Sequence, residues 1–211
     1  MKQRFLLSLL FVCSLAVTTQ AQIRKGATWL GGQAGYRHTS EETSSSSKNI
    51  QSTFNISPAV GKAVKDNLIV GISASYTHGK NKSGAAVMSK YNSYGGGVFV
   101  RKYVPVIDRL YIFGDASAFF STSRTNQDYS TTDRIKAWNA GIGITPGLSY
   151  TVTNKFQIET GVSSLFSTMY EKRTLKQGGS EAKSDSFNTG VFLDNKSQVY
   201  IGFRILLNKK A

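Results

Sequence analysis

Alternation at period two constrains this chain more than any other feature. Residues 138–145 read WNAGIGIT, with apolar residues at every second position and small or polar residues between them. Only a β-strand places alternate side chains on opposite faces, so this pattern predicts strands. Helical periodicity is absent beyond the first residues, and the pattern therefore predicts an all-β fold.

The alternation divides the chain into eight predicted strands. They are Thr28–Thr39, Ser52–Val64, Leu68–Thr77, Lys90–Val104, Leu110–Thr122, Ile135–Tyr150, Phe156–Tyr170 and a last strand over about Ser197–Leu207. Three connections are short, at 65–67, 105–109 and 151–155, and contain the Asp, Asn and Pro of tight turns. Four are long and polar, at 40–51, 78–89, 123–134 and 171–196. Short turns at one end and long loops at the other are typical of an antiparallel up-and-down outer-membrane barrel.

Within the last long connection, Phe187 to Leu193 alternates again. We interpret this segment as the upper part of the eighth strand, above a bend near Asp194-Asn195.

The composition of the two faces favours a membrane barrel over a soluble one. Val70, Ile72, Ile142 and Ile144 share the apolar face, whereas the opposite face is rich in Gly and Ser. A soluble barrel would cover its outer face with Lys, Glu and Asp, which are scarce in these strands. Small residues fit the narrow lumen of an eight-stranded barrel, and the apolar face then contacts lipid. A soluble periplasmic barrel is the alternative.

Aromatic residues support the same orientation. Seven consecutive strands carry one on the apolar parity near the long-loop end: Tyr36, Phe54, Tyr76, Tyr94, Phe120, Trp138 and Tyr170. Aromatic girdles mark the interfaces of membrane barrels, so we expect these residues at the lipid–water boundary.

Four charged residues fall on the lumen parity at similar heights: Arg101, Asp115, Glu159 and Arg204. A charge removed from water needs a partner, so we expect an ion-pair cluster in the lower half of the barrel. Such a cluster plugs the lumen or, as the alternative, forms a gate or a proton path. Arg37 shares this parity nearer the mouth.

The first 21 residues have the organisation of a secretory signal peptide. Lys2 and Arg4 precede the apolar run Phe5 to Val17, and cleavage is expected after Ala21. The domain prediction is thus a signal peptide over 1–21 and one outer-membrane barrel domain over 22–211. Cys13 lies in the leader and follows Val12, which is atypical of a lipoprotein signal. Removal of the leader would leave a chain with no cysteine and therefore no disulfide.

The net charge of +14 suggests either an anionic partner or simply solvated loops that happen to be basic. The basic residues lie mainly in the predicted loops of a secreted chain, which favours outer-membrane lipid and lipopolysaccharide over nucleic acid.

No catalytic or metal-binding constellation is apparent, so we expect neither a catalytic residue, a metal nor a cofactor. The chain has only two histidines, His38 and His78. The segment His38-Thr39-Ser40 matches the His-x-Ser of membrane lipid A deacylases over three residues, but an acidic partner is missing.

Longer segments carry a family resemblance. They are 113–120, FGDASAFF, 143–150, GITPGLSY, and 199–207, VYIGFRILL. On these the chain resembles the small outer-membrane β-barrel domain proteins common in Bacteroidetes, similar in architecture to OmpX/OmpA-type barrels. The last segment is similar to the signal read by barrel assembly machinery, with Tyr200, Gly202, Ile205 and Leu207 at matching positions, although Asn208-Lys209-Lys210-Ala211 follows it. The resemblance implies architecture and no catalytic residues.

These observations predict a monomeric, non-enzymatic barrel in the cell outer membrane. We expect a filled lumen and a role for the basic, Ser/Thr-rich extracellular loops in surface binding, adhesion or envelope integrity. The alternatives are a small porin-like channel for solutes and a membrane-embedded lipid-modifying enzyme.

Overall fold

The computed structural model describes residues 23–42, 48–84, 86–127, 134–162, 165–177, 179–191 and 199–207. The predicted signal peptide and the predicted bend at Asp194-Asn195 lie outside these ranges. The described residues form these strands: β1 (Thr28–Glu42), β2 (Lys48–Lys65), β3 (Leu68–Ser83), β4 (Ala86–Ile107), β5 (Leu110–Gln127), β6 (Arg134–Thr153), β7 (Phe156–Val162), β8 (Phe166–Gln177), β9 (Ser180–Val191) and β10 (Val199–Leu207).

The strands form one closed antiparallel sheet. From β1 to β6 each strand pairs with the next. β7 pairs with the lower part of β6 and β8 with its upper part, where the lower end is the one with the short turns. β10 pairs with β7 and closes the wall against β1, with Thr28 opposite Leu207. β7 with β8, and β9 with β10, each make one wall strand, so the predicted eight-stranded up-and-down barrel is confirmed.

Two-residue turns join the strands at the lower end. They are Asp66-Asn67, Asp108-Arg109 and Asn154-Lys155. Asn67 has a φ of 59° and Arg109 a φ of 64°, so both adopt the left-handed conformation that tight turns require. Asn tolerates this conformation well, which explains the Asp-Asn sequence at the first turn. These short connections were predicted in the right places.

The predicted long loops were wrong in extent. Strands cover residues 40–42, 48–51, 78–83, 86–89 and 123–127 of the predicted loops, and the predicted connection 171–196 contains the upper part of β8 and all of β9. These segments carry Ser, Thr, Asn and Lys on both faces, so the apolar alternation that marks a strand is missing. Hairpin strands pair through their backbones and extend into water without an apolar face. The polar parts of this chain are therefore largely hairpins.

The seventh wall strand is interrupted, whereas the sequence predicts one strand over Phe156–Tyr170. β7 ends at Val162 and β8 begins at Phe166. Gly147 of β6 pairs with Gly161, and Ile144 of β6 pairs with Phe166. The partner strand therefore advances five residues where β6 advances three, and the extra residues interrupt the ladder. Pro146 lies in this stretch of β6 and has no N–H to donate to a ladder, which accounts for a break here.

The two faces of the wall have the predicted orientation. Ile72, Val98 and Ile142 are 60%, 57% and 54% exposed on the outside. Trp29, Phe113 and other inward side chains are buried in the lower half of the lumen. Within the described ranges, there is no helix that is long and apolar enough to cross a membrane.

Candidate functional site

The structure brings together the four charged residues of the predicted cluster. Arg101 on β4 lies directly opposite Asp115 on β5, and Glu159 and Arg204 reach the same point from β7 and β10. Arg101 Nη2 is 2.6 Å from Asp115 Oδ2, and Arg101 Nη1 donates to Glu159 Oε2 at 2.7 Å. Glu159 thus forms ion pairs with two arginines, Arg101 from β4 and Arg204 from β10.

Arg204 completes the cluster in a different way. Its Nε is 2.9 Å from Glu159 Oε2, close enough for an ion pair but not aligned for a hydrogen bond. Its Nη1 donates to the carbonyl oxygens of Gly32 at 2.7 Å and Phe203 at 2.9 Å. Arg204 thus ties the closing strand to β1 at the point where the barrel seals.

The cluster is electrically balanced and largely removed from solvent. Two arginines face two carboxylates, and Arg101, Glu159 and Arg204 are 4%, 0% and 2% exposed. A buried ion pair adds little net stability compared with apolar packing, but removal of one partner leaves an uncompensated charge at a cost of several kcal/mol. The set therefore acts as a unit.

Aromatic side chains enclose the cluster. The Arg101 guanidinium carbon lies 4.9 Å from the Trp29 ring centre and 4.5 Å from that of Phe113, and the Arg204 guanidinium lies 5.0 Å above Trp29. Arginine is attracted to aromatic faces at such distances. Tyr103 donates to Glu159 Oε1 at 2.5 Å and accepts from Trp29 Nε1 at 3.1 Å.

These aromatic residues were not predicted as part of the site, yet a signal for them exists. Trp29, Tyr103 and Phe113 share the lumen parity with the charges. Tyr103 follows Arg101 by two residues, and Phe113 precedes Asp115 by two. Extending the parity rule from charged to aromatic residues would have found them.

The lower end of the lumen has a floor that the sequence did not reveal. Ile23 is fully buried in the core, and its carbonyl accepts from Asn67 N at 2.9 Å. Gly26 N donates to Ala63 O at 2.7 Å, and Ala63 N to Ala27 O at 2.9 Å. Residues 23–27 therefore close the barrel beneath the ion cluster.

Two spaces lie above the cluster. One of about 180 Å³ is bordered by Arg101, Asp115 and Arg204. A wider cleft of about 900 Å³ is lined by residues 33–38 of β1, by β2 and by Tyr200 and Ile201 of β10. Among the described residues, β1 pairs with β10 from Thr28 to Gly32, and this cleft follows the seam above that point. Arg37 lines this upper cleft and is exposed, well away from the ion cluster.

The seven aromatics form a band on the outer face. Tyr36 lies opposite Phe54, and Tyr76 opposite Tyr94 with ring centres 5.1 Å apart. Trp138 contacts both of its aromatic neighbours, with ring centres 6.1 Å from Phe120 and 5.3 Å from Tyr170. The band therefore spans adjacent strands at one height.

The two histidines share the outer parity: His38 follows Tyr36 by two residues, and His78 follows Tyr76 by two residues and lies opposite Phe54. His38 Nδ1 is 3.0 Å from Ser52 Oγ, so its neighbour is Ser52 and not Ser40. His78 Nδ1 is 2.8 Å from Asn92 Oδ1. Acyl transfer also needs a group that orients the histidine, and no hydrogen bond of the described residues joins a carboxylate to either ring. Those residues also contain no cluster of His, Cys, Asp and Glu suited to a metal ion.

Comparison with known proteins identifies the fold. No protein-family model and no curated sequence matches the chain. Among solved structures, the outer membrane protein OprG from Pseudomonas aeruginosa matches over 90% of this chain and 100% of its own, with 12% identity and a TM-score of 0.55.

Two other structures also match. Neisserial surface protein A is 15% identical over 86% of this chain and 97% of its own, with a TM-score of 0.46. A major outer membrane protein from Thermus thermophilus is 9% identical over 86% and 99%, with a TM-score of 0.49. The match to OprG and the closed eight-stranded wall together show that this chain has the fold of the small outer-membrane β-barrels.

Proposed function

We propose that this protein is an integral outer-membrane barrel with a plugged lumen, and that it acts through the polar strands and loops above its aromatic band. The observation that carries this proposal is the outward apolar face. Ile72, Val98 and Ile201, on three different strands, are 57–64% exposed. Apolar surface that surrounds a wall on all sides is incompatible with a monomer in water and suits hydrocarbon.

The orientation follows from the connections. Outer-membrane barrels have short periplasmic turns and longer extracellular segments. The turns at 66–67, 108–109 and 154–155 would therefore face the periplasm, and the hairpins above the aromatic band would face the exterior. A signal peptide over 1–21 and recognition of 199–207 by barrel assembly machinery belong to the same proposal, as does the narrower resemblance to the Bacteroidetes barrels.

The lumen favours a plug over a pore. Arg101, Glu159 and Arg204 meet across the barrel, with Trp29 and Phe113 around them and residues 23–27 beneath. Eight strands leave space for side chains only, whereas wide aqueous channels require roughly 16. Steady nanosiemens-scale openings in a planar bilayer would contradict the plug.

Membrane fractionation tests the barrel itself. We expect the protein to remain in the outer-membrane fraction after washing with salt, carbonate and urea, and to migrate faster on a gel when unheated than when boiled. Extraction by salt without detergent would instead indicate a soluble periplasmic barrel.

A shortened barrel tests the role of the upper strands. Lys172 lies opposite Asp185, so residues 173–184 can be replaced by an Asn-Gly turn without loss of register. As a control, Asp108-Arg109 is replaced by Asn-Gly at the lower end. Cells that lack the protein are then complemented with each form and scored for adherence and detergent sensitivity. We expect both forms to insert but only the control to restore the phenotype; restoration by both would refute a role for this hairpin.

A further inference from the structure

The lower half of the outer wall carries lysine side chains on β2 and β4. Lys62 and Lys102 are exposed, and each stands between two valines that are exposed on the same face. Because alternate residues of a strand share a face, both lysines project from the outer wall. The described lower parts of β1, β3, β5, β6, β7 and β10 place no Lys or Arg on this parity.

Strand β3 runs between these two lysines. Register places Lys62 opposite Val70, and Leu68 opposite Lys102. Neighbouring strands are about 4.8 Å apart and two strand residues span about 7 Å, so the lysine Cα atoms lie about 12 Å apart. We call Lys62, Leu68, Val70 and Lys102 the lysine strip. It consists of two apolar side chains with a cation on either side.

The Lys102 side chain points toward the short-turn end of the barrel. Its Nζ donates to the carbonyl oxygen of Asp66 at 3.4 Å. Asp66 begins the turn between β2 and β3, two residues before Leu68. The aliphatic stem of Lys102 thus runs down the wall while its ammonium group reaches the turn, as lysine does where a membrane surface meets water.

Further cations surround the same turn. Lys65 is the last residue of β2, and the Lys25 backbone N–H donates to Asp66 Oδ1 at 2.8 Å. Arg24 precedes Lys25, and the side chains of all three cations are exposed. The turn below the lysine strip is therefore a region of positive potential.

The acids of the chain are accounted for elsewhere. Asp66 and Asp108 are the acids of the short turns, and Asp108 lies 3.8 Å from Arg109. The others lie in the lumen, on the upper parts of β1, β8 and β9, or in the connections β5–β6 and β9–β10. Residues 1–22 and 208–211 contain no Asp or Glu. No ion pair of the described residues includes a lysine of the strip.

The other side of the lower wall carries aromatic residues in place of lysines. Tyr150 and Phe203 are exposed on β6 and β10, and the Phe203 ring stacks on Phe156 of β7 with centres 5.9 Å apart. Aromatic rings settle at the level of lipid head groups and carry no charge, whereas lysine is attracted to anionic lipid. The lower wall thus has an uncharged side and a cationic side.

We infer that the lysine strip binds an anionic phospholipid of the inner leaflet, and this inference rests on the proposed membrane location and orientation. The head-group phosphate accepts hydrogen bonds from the two ammonium groups, which is the stronger, charge-assisted kind. The acyl chains lie along Val70 and the neighbouring Val100, which are 42% and 44% exposed. A membrane lipid fits better than a soluble anion, because both lysines stand among side chains that face hydrocarbon.

Two variants with the same change in net charge test the site. The strip variant is K62Q with K102Q. The control variant is R109Q with K155Q, which removes two cations from the other short turns. A third variant, K62R with K102R, keeps the charge. Each protein is recovered from outer membranes in a neutral detergent and mixed with equal amounts of phosphatidylglycerol and phosphatidylethanolamine that have identical acyl chains. Native mass spectrometry then counts the bound lipids.

We expect the wild type to retain phosphatidylglycerol at least about tenfold more strongly than phosphatidylethanolamine, since each lysine near an anionic surface contributes about fivefold in affinity. This preference should fall to within about twofold in the strip variant and persist in the control and in the arginine variant. Equal preference in the wild type and the strip variant, or equal losses in the strip and control variants, would refute the inference.

Two further measurements separate the alternatives. Glycerol phosphate, which has the phosphate but no acyl chains, should not displace the bound lipid at equal concentration; displacement would show a free-phosphate site and overturn the assignment to lipid. In phosphatidylethanolamine vesicles, added phosphatidylglycerol should raise the unfolding temperature of the wild type and the control but not of the strip variant. Absence of a faster-migrating unheated band in the wild type would instead refute the membrane barrel on which the inference rests.

Discussion

The charges inside the lower barrel and those on the strands above the aromatic band obey different rules. Inside, Arg101 and Arg204 are matched by Asp115 and Glu159, and each arginine lies over an aromatic ring. Above the band, Arg124 faces Lys136 across the sheet, and the described upper parts of β3–β6 hold no acid. Burial permits only balanced sets of charges, whereas contact with water and head groups permits a surplus.

Loss of Glu159 should produce the largest effect. E159A leaves two buried arginines with one carboxylate, and we expect a loss of about 3–5 kcal/mol in unfolding free energy. Denaturation in urea after reconstitution into lipid measures this loss. E181Q, which removes an exposed acid of the hairpin, should leave the global midpoint unchanged. If the two variants were equally stable, the interior charges would not act as a unit.

A charge on the outer face at mid-height should be nearly as costly. Ile142 is 54% exposed there and faces away from the lumen cluster. I142K should cost about 2–4 kcal/mol, because a lysine at the bilayer midplane has no partner. T122K, in the row of the aromatic band, should cost no more than about 1 kcal/mol. The same refolding titration compares the two, and equal costs would argue against a membrane at this height.

Removal of one hydroxyl group from the aromatic enclosure should have a moderate effect. Tyr103 hydrogen-bonds to both Glu159 and Trp29. Y103F leaves these buried partners unsatisfied and should cost about 1–3 kcal/mol. Y94F, on the outer band, should change stability by less than about 0.5 kcal/mol. A neutral result for Y103F would show that water replaces the hydroxyl group.

The smallest effect concerns pH at the hairpin. Hydrogen bonds from Lys176 and Lys183 lower the pKa of Glu181 below its ordinary value. A carboxyl group with a lowered pKa in the folded state stabilises that state above its ordinary pKa and loses this contribution as pH falls through the lowered value. We expect hydrogen exchange of the β8–β9 amides, corrected for intrinsic rates, to accelerate in acid in the wild type but not in E181Q. If exchange in E181Q accelerated in acid as it does in the wild type, Glu181 would not be the group responsible.

Much of the fold was predictable because a strand has a fixed period. Parity alone distinguished the lumen side of Arg101 from the outer side of Ile142, and counting residues from the short turns placed the four charges at one height. The extent of the hairpins was not predictable, because Ser, Thr, Asn and Lys resemble a loop when neither face is apolar. The break near Pro146 and the floor at Ile23 depend on pairing partners distant along the chain.

The sequence by itself determined which side chains face the lumen and which face outward, because parity is a local property of an extended backbone. Only the tertiary structure decided which residues meet across strands, because register depends on how far one strand slides along another. That register unites Arg101 with Glu159 and sets Arg124 against Lys136. The buried ion cluster follows from it.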